Sequence, residues 1–175
     1  MATTWKIDPV HTHVQFSVRH MMVTNVKGVF VKTSGSVVLP DGDLTQAEVA
    51  IEIDATSIDT REPQRDAHLK SPDFLDTNQF PQITFRSTRI VKAGDGFTVS
   101  GDLTIHGVTK AVALNVGPPG PEAKDPWGGM RRGFEAQTEI NRKDFGLVWN
   151  QTLETGGVLV GDKVKINLEV ELIQA

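Results

Sequence analysis

Apolar and polar side chains alternate along most of the chain with a period of two, the spacing that sends successive side chains to opposite faces of a β-strand. Val14, Phe16 and Val18 interleave with His13, Gln15, Ser17 and Arg19, and after an interruption Val29 and Val31 lead toward Val37 and Leu39. Val49, Ile51 and Ile53 alternate with Glu48, Ala50, Glu52 and Asp54, while Ile83 and Phe85 alternate with Thr84 and Arg86 and run on to Ile90. Three further runs, Phe97 to Ile105, Val112 to Val116 and Phe134 to Ile140, follow the same rule. The cleanest is the last, Val164 to Leu172, interleaved with Lys165, Asn167, Glu169 and Glu171. As a helix it would scatter apolar groups over every face, so it reads as a strand.

Turn-forming sequences separate these runs: Pro40-Asp41-Gly42-Asp43, Gly94-Asp95-Gly96, His106-Gly107-Val108-Thr109 and Gly156-Gly157 stand at hairpin positions, so consecutive strands pair antiparallel. Two stretches break the alternation toward helix. Arg61 to Ser71 is polar and carries Pro63 near its start, with Asp59 or Thr60 as the expected cap, and reads as an exposed helix. Met21 to Val26 reads as a shorter helical turn. Gly117 to Gly129, rich in Pro and Gly, belongs to a loop or a flared edge, because Pro lacks the ladder donor. About eight short strands with hairpin connections make either an all-β sandwich or a closed barrel. The barrel has one physical advantage: eight strands enclose a space that side chains fill or that one small ligand occupies. No repeat, heptad or linker divides the chain, so residues 1–175 are expected to form one domain.

Composition narrows the partners. Eighteen Lys and Arg against 22 Asp and Glu give a formal net charge of -4, which disfavours nucleic acid, and the Arg131-Arg132 pair stands alone. With no Cys there are no disulfides and no thiolate chemistry. No run of apolar residues is long enough to span a membrane. The segment Met1 to Asp8 has no continuous apolar stretch of the kind a secretory signal needs, so a cytoplasmic location is the expectation. A homodimer covering the outer barrel face is compatible with the pattern.

Candidate chemistry is sparse. His11, His13 and His20 fall close together, and on one regular strand His11 and His13 would share a face as a workable metal pair. A third ligand would have to be a distant Asp or Glu, His68 or His106, so hydrogen-bonded imidazoles at a strand end are the favoured reading, with no metal and no cofactor expected. Ser34-Gly35-Ser36 lacks the strand-to-helix context of a nucleophile elbow, and there is no phosphate-cradling glycine loop. The charged stretch from Arg65 to Asp76 reads as a polar helix beside the barrel, anchored by Leu69, Phe74 and Leu75.

Several ordered segments resemble one known family. They are Trp5-x-Ile7-Asp8, His11-Thr12-x-Val14-x-Phe16-x-Val18-x-His20, Val26-x-Gly28-x-Phe30, and Ser57-Ile58-Asp59-Thr60. Next come Gln64-Arg65-Asp66-x-His68-Leu69-x-Ser71-x-Asp73-Phe74 and Phe80-Pro81-x-Ile83-Thr84-Phe85. Gly101 to Thr109 and Asn141-Arg142-Lys143-Asp144-Phe145-Gly146 complete the set. In these the chain resembles the YceI-like family, lipocalin-like polyisoprenoid-binding proteins. The resemblance implies an eight-stranded antiparallel lipocalin-like barrel with one or two short helices. It also implies a carrier, not an enzyme, that binds and sequesters or transports a long apolar ligand: a polyprenyl quinone, a polyprenyl phosphate or a fatty-acid-like lipid. Phe16, Val18, Phe30, Ile83 and Phe85 are candidates for its tunnel wall, with Leu103, Phe134, Ile140 and Phe145. Arg19, His20, Asn141 and Arg142 are candidates for a head-group rim. Two rival readings are a metal-dependent enzyme on a cupin-like barrel using His11 and His13, and a ligand-free structural or stress-associated domain filled by its own side chains.

Overall fold

The alternating runs become eight barrel walls, three of them bent. The computed structural model describes residues 2–175. The first wall joins β1 (Ala2–Ile7) to β2 (His13–His20) through a 3-10 turn over Pro9–His11. There Pro9 fixes φ at a position that needs no N–H, and the Asp8 carboxylate accepts from the Val10 amide at 3.0 Å. The second wall joins β3 (Thr24–Phe30) to β4 (Thr33–Pro40), and the third joins β5 (Glu48–Asp54) to β6 (Ile58–Asp59). Then come β7 (Gln82–Ala93), β8 (Gly96–Ile105) and β9 (Val108–Val116). A two-residue edge strand, β10 (Ala123–Lys124), precedes β11 (Met130–Asn141), and β12 (Val160–Gln174) is the eighth wall.

Each wall pairs antiparallel with the next, and β12 closes the circle. One edge of β12 pairs with β11 from Lys163 to Ile173. The other pairs first with β2, through Val164↔Val18 to Glu169↔His13, and then with β1 at Leu172↔Ile7. This closure decides for the barrel over the sandwich. Along β12, Val164, Ile166, Leu168, Val170 and Leu172 point inward while Lys165, Asn167 and Glu169 are exposed, as the period of two requires. Among the described residues no helix is long and apolar enough to cross a membrane.

One end of the barrel, the mouth, carries the β2–β3 connection, the helix and residues 142–159; the other, the base, carries the β4–β5 connection and residues 117–129. At the mouth two expectations change. Met21 to Val26 is not helical: Met21 and Met22 sit at φ 51° and 59°, the left-handed region that a tight antiparallel connection uses, and β3 begins at Thr24. The helix α1 (Pro63–Lys70) lies within the expected stretch, but its cap is Glu62, whose carboxylate accepts from the Arg65 amide at 2.7 Å. Thr60 is bound elsewhere, its amide and hydroxyl donating to Asp66 Oδ1 at 2.9 and 2.6 Å. Residues 117–129 form a loop whose β10 pairs with the start of β11.

Candidate functional site

Inside the mouth half of the barrel is a cavity of about 310 Å³. Phe16 and Val18 from β2, Phe30 from β3, Ile83 and Phe85 from β7, Leu103 from β8 and Ile140 from β11 all line it. Inward-facing Phe16, Val18, Phe30, Val164 and Ile166 are only half-buried because they border this space and not another side chain. Two glycines shape the wall. A Cβ on Gly28, which is opposite Phe16 in the ladder, would collide with the Phe16 ring, and one on Gly101 would collide with the ring of Phe85. Glycine at these two positions lets each ring lie across the neighbouring strand.

Polar groups gather where the cavity meets the mouth. Arg19, His20, Arg65, His68 and Arg142 belong to its lining, and no Asp or Glu does among the described residues. Arg65 is spoken for structurally: its Nε donates to Thr60 Oγ1 and its Nη2 to the Thr60 carbonyl, both at 2.8 Å, which pins α1 over the opening. His68 packs edge-on to Phe74 and Trp149, with centroids 5.0 and 4.8 Å away, and meets Asp73 Oδ2 at 2.9 Å. Phe74 and Trp149 are 5.3 Å apart, so the three rings join the helix to the loop before β12 across the mouth.

Arg142 is 3% exposed. Its Nε donates to Gly161 O at 2.8 Å, Nη1 to Leu147 O at 2.6 Å and Nη2 to Val160 O at 3.4 Å. These bonds satisfy N–H groups without neutralising the charge. The one carboxylate within 4.0 Å among the described residues is Asp162, which is partly exposed and lies nearer to Lys143, at 3.3 Å. Burial accordingly lowers the Arg142 pKa, with the Asp162 charge acting against that shift.

Three expected site residues lie away from this cavity. Phe134 lines a second, smaller one toward the base. Asn141 is exposed and caps the 3-10 turn Arg142–Phe145, its side-chain oxygen accepting from the Lys143 amide at 3.0 Å. Phe145 is 1% exposed and packs into the surrounding core, outside the lining of either cavity. Conversely, Arg65, His68, Trp149 and Leu159 line the cavity although nothing in the alternation marks them. The helix spacing that puts Arg65 and His68 on one face with Leu69, which also lines the cavity, is the available signal for the first two of these side chains.

The histidine group resolves differently. His13 is exposed on β2, while His11 sits in the 3-10 turn with Nδ1 2.8 Å from Asp8 Oδ2. Asp8, His11 and Glu171 each bring a potential ligand atom within 4.8 Å of the others. Arg131 already stands between the carboxylates: Nη1 donates to Asp8 at 2.6 Å and Glu171 at 2.8 Å, and Nε to Asp125 at 2.8 Å. Hydrogen bonds from His11 and Arg131 hold the Asp8 carboxyl at about 2. Asp125 is lowered by the same guanidinium, and Arg131 is raised by its three partners. This is an ion-pair clamp on the outer wall near the base.

Known proteins share this architecture. Protein YceI of Shigella flexneri is 40% identical over 149 residues, 84% of this chain and 78% of the relative. BcnA of Burkholderia cenocepacia superposes with a TM-score of 0.79 at 25% identity, over 94% of this chain and 98% of that one. A polyisoprenoid-binding domain from Saccharophagus degradans, 16% identical, superposes with a TM-score of 0.70 over 98% of both chains and so shares the fold. The YceI-like domain matches residues 5–172, and the chain belongs to the YceI-like family.

Proposed function

We propose that the protein binds a long apolar molecule inside the barrel, sheltering it from water and carrying it, and that the ligand has an anionic head: a polyprenyl phosphate, or a fatty-acid-like lipid. The observation that carries this reading is the 310 Å³ cavity, mainly apolar along its depth, with Gln15 and Thr138 as its uncharged polar members, and basic only at its mouth. Its volume falls at the lower end of the roughly 300 to 1,000 Å³ usual for small-molecule sites. Burial of one isoprene unit contributes roughly 3 to 4 kcal/mol at about 0.8 per CH₂. A few units therefore offset an association cost of about 4 to 15 kcal/mol. Arg142 favours an anion over a neutral quinone head, since a buried guanidinium bonded only to carbonyls gains from a nearby negative charge. The polyisoprenoid-binding neighbour from Saccharophagus degradans supports the same ligand class.

Native mass spectrometry before and after denaturation tests it. The folded protein should carry extra mass that is lost on unfolding and recovered in the organic extract as a lipid. Equal masses in both states, for protein from several hosts that make isoprenoids, would remove the carrier reading and favour a ligand-free barrel.

A further inference from the structure

Toward the base of the barrel lies a second cavity of about 100 Å³. Its wall is apolar throughout, including Val37, Val49, Ile90, Phe97, Phe134 and Ala136. Three residues belong to the walls of both cavities: Ile51 on β5, Leu114 on β9 and Leu168 on β12. In order around the barrel β5, β9 and β12 are the third, sixth and eighth walls, so these side chains approach the axis from well-separated directions. They form a collar between two chambers stacked along one axis. Beneath the lower chamber Trp5, Ile7, Leu39 and Leu172 form a cluster of buried apolar side chains, of which Ile7 and Leu172 also line the chamber.

An apolar space of this kind does not hold water, because water there would find no hydrogen-bonding partner. Nor is it the usual state of a protein core, which packs to crystal-like density with few voids larger than a water molecule. The side chains at the collar are Ile and Leu, which present only methyl groups to anything passing between them.

We infer that the lower chamber is a terminal subsite for the apolar tail, entered through the Ile51–Leu114–Leu168 collar, and that its floor sets the longest chain the protein holds. This inference rests on the lipid-binding reading above. With the head at Arg142 and Arg19, the tail descends past Phe16 and Phe85, crosses the collar, and ends against Ile7 and Leu172. Each added isoprene unit strengthens binding until the lower chamber is full. The next unit finds no space and must stay in water or force the head out of the mouth.

A ladder of polyprenyl monophosphates differing by single isoprene units, titrated into delipidated full-length protein, reads this directly. For the wild type, affinity should rise along the ladder and then stop rising at a defined length. Ala136 faces the lower chamber from β11, directly across the ladder from Leu168. Ala136→Trp fills the chamber, so the break should move to a shorter chain, with an affinity loss on the order of a hundredfold for the longest ligand the wild type accommodates. Shorter members, which do not reach the collar, should bind as before. Should Ala136→Trp not fold, Ala136→Leu occupies part of the same space and should give the same shift in smaller measure. Leu168→Ala opens the collar and should ease entry of chains that reach it. A folded Ala136 variant with the wild-type length profile would overturn the tail subsite while leaving lipid binding intact. A wild type that binds no member of the ladder would instead overturn the lipid reading on which the subsite rests.

Discussion

The two ends of this barrel are built from the same strands and do opposite things with their inward side chains. At the base, Trp5, Ile7, Leu39 and Leu172 meet one another and are buried, Trp5 to 3% exposure. At the mouth, Phe16, Val18, Phe30, Val164 and Ile166 also point inward, yet they face a void and remain half-buried. The charges divide in the same way. Arg131, outside the base, has three carboxylates for one guanidinium, whereas Arg142, inside the mouth, has carbonyls within hydrogen-bond reach and only a distant, shared carboxylate. The floor of the base is packed against itself, and the mouth is complementary to something else.

Truncating both ends should break the symmetry of the strands most visibly. Trp5→Ala removes a packed side chain and should cost about 3 to 5 kcal/mol in urea unfolding. In delipidated protein Ile166→Ala, in the wall of the mouth cavity, should fall near the lower bound for such changes, about 2 kcal/mol, because one side of Ile166 borders the cavity and not another side chain. Equal losses at the two sites would mean that the mouth is as well packed as the base.

A smaller effect separates the two arginines by pH. Asp8 has its carboxyl at about 2 in the folded protein, against an ordinary 3.8. Its carboxylate therefore favours the folded state above 3.8, and that contribution is lost as pH falls from 3.8 toward 2. Arg131→Gln removes one of the two side-chain partners that lower it, beside the Val10 amide, so thermal melting against pH should show a shallower acid limb and reduced stability at neutral pH. An unchanged acid limb would show that His11, the larger influence, is sufficient alone.

The smallest effect is expected at Asn141. Asn141→Ala removes a cap outside the cavity, and should lower stability by about 1 kcal/mol with no change in lipid retention. Loss of retention at full stability would return Asn141 to the head-group rim.

What the sequence made legible follows from how local each signal is. Alternation marked Val14 to Val18 and Val164 to Leu172 as strands because the period of two is set by each strand alone. It left Phe134 and Phe16 equivalent, although one borders the base chamber and the other the mouth, since height along the axis depends on pairing between distant strands. Trp149 and Leu159 lie in an irregular segment with no period to read, and only tertiary packing brings them to the cavity. Met21 and Met22 misled for a different reason: they take left-handed backbone conformations without the Gly or Asn that normally announces them.

The three partners of β12 carry a consequence for the order in which the molecule is made. Thr12 and Glu171, neighbours across the closing seam, are 159 residues apart in the chain. During synthesis the walls from β1 to β11 can pair only as an open, curled sheet with two free edges and an apolar face toward solvent, until β12 leaves the ribosome. Such long-range closure is slow compared with hairpin formation. A nascent chain thus passes through a stage in which its future interior is adhesive surface, and a lipid met at that stage would be wrapped in place during closure with no need to thread the mouth.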